Sequence, residues 1–117
     1  MKDKDLTHLR LMLDFAQRAD RRIKGVGLDT FLQDDNLQDA ILYAVGQIGE
    51  NANAVSEDTR MEYPAIYWGP IIGLRNRVFH SYGDIDMRIV YNSVAEQIPV
   101  LIRQLQELLE STVRFDI

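Results

Sequence analysis

Arg75, Asn76, His80 and Tyr82 stand close together in the run Leu74-Arg75-Asn76-Arg77-Val78-Phe79-His80-Ser81-Tyr82, and nowhere else does the chain concentrate so much polar chemistry. Arginine keeps its charge at any physiological pH and holds its donors in a planar fork that matches phosphate oxygens. A neutral imidazole can take or give a proton near pH 7. The pair suits phosphodiester chemistry. In RNA the 2′-hydroxyl attacks the adjacent phosphorus, so a protein need only move protons and stabilise charge on the non-bridging oxygens. Arg75 and His80 are the candidate catalytic groups, Asn76 supports them, and the reaction calls for no metal and no cofactor.

Helical geometry limits this picture. At roughly 100° per residue, Arg75 and Tyr82 share one stripe and Asn76 and His80 a neighbouring one, while Arg75 and His80 lie well over 100° apart. One continuous helix cannot make them converge. Either the helix ends before His80, so that a turn re-aims the imidazole, or a second copy across a two-fold axis supplies the partner groups. Taken singly, each residue also has an ordinary explanation: solvated or ion-paired arginines, a cationic His80 favoured at a helix C-terminus, an amphipathic Tyr82. The ordered set, with the turn sequence Gly83-Asp84-Ile85-Asp86 directly after it, is what favours a functional motif.

The chain of 117 residues, with 46% hydrophobic and 26% charged positions, predicts one folded domain spanning residues 1–117. There are 0 cysteines and only 2 histidines. Disulfides and a thiolate metal site are excluded, and a zinc centre is not indicated. No signal-like apolar region comes after the charged start, and no apolar stretch is long enough to span a bilayer, so a cytoplasmic protein is expected. A formal net charge of −5 argues against a broad basic nucleic-acid face. Any RNA contact must be local, and Arg77 and Arg88, close to Arg75 in sequence, are the candidates.

Apolar periodicity supplies the elements that would position the motif. Leu6, Leu9, Met12, Leu13 and Ala16 mark an amphipathic helix running to Arg22 or Ile23, stopped by Gly25-Val26-Gly27. His8 beside that apolar face reads as a surface or satisfied core residue. The cations Arg18, Arg21, Arg22 and Lys24 fall where the helix dipole favours them, which accounts for the cluster structurally, with a separate RNA-binding role there as the lesser alternative. Leu28–Leu32 reads as a connector in which Asp29 or Thr30 could cap the next helix. From Asp34 or Asn36, Leu37, Ile41, Tyr43, Ala44, Val45 and Ile48 carry a second long helix to about Val55. Gly46 and Gly49 remove bulk there, which allows another helix to approach. Ser56 to Pro64 reads as the principal loop. Trp68 is a core anchor, and Pro70 begins the motif helix, whose inward stripe is Ile71, Leu74 and Val78. Asp84 or Asp86 caps the last helix, where Pro99 predicts a kink and Thr112–Ile117 a frayed end. No strand-period alternation appears. The expected fold is all-α, an up-and-down bundle of four to five helices.

The order Arg75-Asn76, four intervening positions, His80, one residue, Tyr82 resembles the Arg-x4-His-x-Tyr signature of the HEPN superfamily, in particular the HepT-like toxins. The resemblance extends from about Leu37 to Leu109 through Ile48-Gly49-Glu50, Tyr63-Pro64 and Trp68, Ile72-Gly73-Leu74-Arg75-Asn76, Gly83-Asp84-Ile85-Asp86 and the late Pro99. Phe79 departs from it, standing where small or aliphatic residues are more usual. The resemblance implies a metal-independent RNA endonuclease with Arg75 and His80 in a composite site at a homodimer interface. It also implies a toxin paired with a minimal nucleotidyltransferase antitoxin that places AMP on the motif tyrosine, here Tyr82. Glu50 matches a glutamate of that pattern and reads equally as a partner for Arg75 and as a catalytic group. The competing function is a non-catalytic helical module that binds a nucleotidyltransferase or a nucleotide, with the same fold but no task for Arg75 and His80.

Overall fold

Local signals cut the chain into helices largely where expected. In the computed structural model, residues 1–115 are described, except the side chains of Tyr82 and residues 113–115. Helix α1 (Asp3–Ile23) begins with acidic Asp3 and Asp5 and ends with Arg21 and Arg22, each sign at the helix end that stabilises it. Gly25, with φ 76°, takes the left-handed conformation that turns the chain out of α1. Asp34 caps α3 (Asp35–Ala54) by accepting from the Leu37 N–H at 2.9 Å. The motif helix α5 spans Trp68–His80 and α6 spans Met87–Phe115.

Two stretches expected to be irregular are helical. Leu28–Leu32 forms the short α2, and Glu57–Glu62 forms α4. The first has no side-chain cap, but it buries Phe31, and that burial holds it. The second is capped by Ser56, whose hydroxyl accepts from the Thr59 N–H. Asp29 and Thr30 therefore sit inside α2 rather than capping α3. The last helix is preceded by Asp86, whose carboxylate accepts from the Arg88 N–H at 2.9 Å, and it runs through Pro99 without a break in the helix. The end expected to fray is helical to Phe115, and Asp116 and Ile117 lie outside the described residues.

The elements pack as an all-α bundle. Helix α3 lies between α1 and α5, and α1 packs on its other side against α6. Pairings of His8 with Asn51 and Phe15 with Tyr43 make α1 and α3 antiparallel, and Gly46 against Val78 with Gly49 against Arg75 does the same for α3 and α5. Leu9, Met12, Ile41, Leu42, Val90, Val94 and Leu105 are almost wholly removed from water, each contributing roughly 1.5–3 kcal/mol against unfolding. Tyr43 and Ile89 continue the apolar stripes in sequence, yet both point outward. No helix among the described residues is long and apolar enough to cross a membrane.

At one end of the bundle a buried carboxylate ties α1 to α4. Asp5, 2% exposed, accepts from the Ser56 hydroxyl at 2.6 Å, the Ser56 N–H at 2.9 Å and the Thr59 hydroxyl at 2.7 Å. Burial alone would raise its pKa, but these hydrogen bonds and the nearby Lys2 charge outweigh it and lower the pKa to about 2.

Candidate active site

Helix α5 begins slightly before the proline expected to start it. Tyr67 is the N-cap position, Trp68 is buried with its Nε1 donating to the Tyr63 carbonyl at 3.0 Å, and Pro70 falls in the first turn, where no backbone bond is lost. Val78 is buried and Ile71 and Leu74 are half-buried, so the inward stripe is the expected one.

The helix does not end before His80. It carries Arg75, Asn76, Arg77 and His80 on one continuous coil, with Ser81 directly after it. Arg75 and His80 consequently project about 140° apart. The turn that could have re-aimed the imidazole comes too late: the 3-10 segment η1 spans Tyr82–Asp84.

Arg75 is held from three sides. Its Nε donates to Glu50 Oε2 at 2.7 Å and its Nη2 lies 2.7 Å from the same oxygen. Its Nη1 donates to Asn76 Oδ1 at 2.7 Å, and its guanidinium sits 4.9 Å from the centre of the Phe79 ring. Backbone proximity makes this arrangement possible. A Cβ on Gly49 would collide with Arg75 Cβ and come within 2.9 Å of the Ile71 carbonyl oxygen, so only glycine lets α5 lie this close to α3. A Cβ on Gly46, one turn away, would meet Phe79 and Val78 at an ordinary 3.5 Å.

The structure thus brings Arg75, Asn76 and Glu50 together and leaves His80 apart. Arg77, His80 and Arg88 are exposed, Arg88 on the first turn of α6. The side chain of Tyr82 is outside the described residues. Phe79, in sequence only a departure from the family pattern, is the shelf beneath the arginine. Its signal was the i,i+4 spacing from Arg75, which places the two side chains on the same helix face. His8 is explained structurally: its Nδ1 lies 2.9 Å from Asn51 Oδ1, and the Asn51 amide donates to the Gln47 carbonyl at 2.8 Å.

Known proteins resemble the chain along most of its length. Over 103 residues the chain is 28% identical to a protein of Caldanaerobacter subterraneus subsp. tengcongensis named "Putative RNase", covering 88% of this chain and 92% of that one. Over 108 residues it is 25% identical to the "Probable ribonuclease HepT" of Thermococcus cleftensis, covering 92% and 98% of the two chains. Residues 12–108 match the family model described as Ribonuclease HepT-like. The chain belongs to the HepT-like ribonuclease family of the HEPN superfamily.

Proposed function

We propose that this protein is a metal-independent endoribonuclease, the toxin of a toxin–antitoxin pair, whose Arg75 and His80 act in a site shared by two copies of the chain. The observation that carries this reading is the unbroken helix through His80, which fixes the arginine and the imidazole on diverging faces. A second α5, related by a two-fold axis, brings an arginine from one chain toward a histidine from the other. The open space beside Gly69 and Gly73 supports such a seam. A Cβ at either position would meet nothing within 4 Å, so neither glycine has a packing role within the chain, although Gly73 lowers helix propensity.

In this site His80 takes the proton of the RNA 2′-hydroxyl and returns one to the leaving 5′-oxygen, while Arg75 neutralises charge developing on the phosphorane oxygens. Glu50 and Asn76 orient the guanidinium. Arg77 and Arg88 contact the RNA backbone. Arg88 stands at the positive end of α6, where a cation gains nothing from the dipole, so its position is better explained by an anionic partner. Tyr82 is the acceptor for AMP from a nucleotidyltransferase antitoxin. An adenylate there brings a phosphate toward the basic groups of the motif and blocks RNA.

The competing reading, a non-catalytic module, draws on the engagement of all three guanidinium nitrogens of Arg75. That engagement is weak, because the pair is partly open to solvent, with side-chain exposures of 23% for Arg75 and 48% for Glu50. A phosphate can displace the carboxylate. Purified protein, assayed on RNA with excess chelator, separates the two readings. Cleavage that falls by on the order of a hundredfold or more in both Arg75→Ala and His80→Ala, with helical circular dichroism retained, supports the nuclease. Activity that survives His80→Ala or requires added metal refutes it.

A further inference from the structure

An aromatic and cationic strip crosses the outer surface of the α1, α3 and α5 layer. It starts at the motif, where the Arg75 guanidinium lies 4.9 Å from the Phe79 ring centre. Phe79 is 49% exposed and lies over Gly46 of α3, where an added Cβ would meet its ring at an ordinary 3.5 Å. Three positions earlier on α3, and so one turn along, stands Tyr43, 61% exposed. Its ring meets Phe15 of α1 edge to face, with centroids 5.9 Å apart and planes at 75°. The strip closes as it began, with a guanidinium over a ring: Arg18 lies 4.9 Å from the centre of Phe15. Arg22, one turn further on the same stripe of α1, is also exposed.

We infer that this strip is a binding track for single-stranded RNA, along which bases stack on Tyr43 and Phe79 while Arg18 and Arg22 hold the phosphates, leading the strand to Arg75. The inference rests on the ribonuclease reading and adds to it where the substrate lies and that it is unpaired. Aromatic faces accept any base, and arginines beside them supply charge and cation–π contact, which together form the common chemistry of single-strand binding. A docking patch for a protein would gain from continuous apolar surface, whereas here guanidinium groups bracket the rings at both ends. The net charge of −5 leaves no broad basic face, so a narrow track is the form RNA contact must take. Of the acidic side chains along it, Glu50 already pairs with Arg75, and Asp14 pairs with Arg18 at 2.9 Å across two exposed side chains, an attachment that phosphate readily replaces. Asp39, one turn before Tyr43, ends the strip on α3.

The test is fluorescence anisotropy of the full chain with a labelled single-stranded 2′-O-methyl RNA, which lacks the nucleophile and cannot be cut. Tyr43→Ala weakens binding about tenfold, and Tyr43→Phe, which keeps the ring, restores it. Arg18→Gln weakens binding and makes the salt dependence shallower. Tyr67→Ala removes an exposed ring elsewhere on the surface and leaves affinity unchanged. Equal melting temperatures for Tyr43→Ala and the unaltered chain keep the comparison sound. Unaltered affinity in Tyr43→Ala, or loss of a protein partner with RNA binding intact, overturns the track while leaving the ribonuclease reading standing. Failure of the unaltered chain to bind any RNA overturns both.

Discussion

Gly49 and Arg75 meet with no space for a side chain between them, so the glycine of α3 sets how closely α5, the helix that carries Arg75, can dock. The next residue, Glu50, then bonds the arginine from the same turn of α3. One dipeptide supplies both the closeness and the charge that fix Arg75.

Gly49→Ala should therefore push α5 away from α3. The obstruction is backbone and Cβ rather than a flexible side-chain tip, so the cost falls in the overpacking range of about 1–3 kcal/mol. Gly46→Ala, whose new methyl meets only ordinary contacts, should be neutral or slightly stabilising through helix propensity. Urea denaturation of the two variants checks the contrast, and equal stability would contradict it.

How far the site is legible in the sequence depends on which interactions are local. The motif, its inward stripe and the closeness at Gly49 can be read because helical period and side-chain size are properties of the sequence itself. The helices α2 and α4 cannot, since one depends on burying Phe31 under distant residues and the other on Asp5, far away in sequence, tying down its cap. Tyr43 passes for a member of an apolar stripe because periodicity cannot tell an edge position from a buried one. The shelf of Phe79 under Arg75 needs only i,i+4 spacing, but Phe79 resembles a core residue until its exposure is known.

Asp5 makes folding sensitive to acid. Its folded pKa of about 2 lies below the ordinary 3.8, so its stabilisation is fully present above pH 4 and is lost as pH falls from about 4 toward about 2. A difference of nearly two units corresponds to about 2 kcal/mol. Asp5→Asn should destabilise the neutral protein by roughly that amount and flatten the acid limb between those pH values, as measured by chemical denaturation across pH. An acid limb identical to that of the unaltered chain would assign the sensitivity to other groups.

A bulky residue on the outer face of α5 should separate association from folding. Gly73→Leu meets open space within the chain and improves helix propensity, so its melting temperature should hold or rise. Light scattering at micromolar concentration should show the dimer of the unaltered protein replaced by monomer, and nuclease activity should fall with it. A Gly73→Leu variant that stays dimeric places the seam elsewhere.

Tyr82→Phe should retain much of the nuclease activity, because a phenol with a pKa near 10 is a poor proton carrier at neutral pH. It should escape neutralisation by a cognate nucleotidyltransferase, since the acceptor oxygen is gone. Intact mass of the two forms after co-expression decides the point: adenylate found on Tyr82→Phe to the same extent as on the unaltered chain moves the switch to another residue.

The chemical identity of the cut ends tests the central claim most directly. A nucleophile that comes from the RNA itself leaves a 2′,3′-cyclic phosphate on one fragment and a 5′-hydroxyl on the other, and it does so with excess chelator present. Mass spectrometry of a short defined oligoribonucleotide cut by the purified protein, beside the same sequence carrying one 2′-deoxy nucleotide at the scissile position, should show the cyclic end in the first and no cleavage at that position in the second. A 3′-hydroxyl with a 5′-phosphate, or cleavage that persists at the 2′-deoxy position, would contradict the roles assigned to Arg75 and His80.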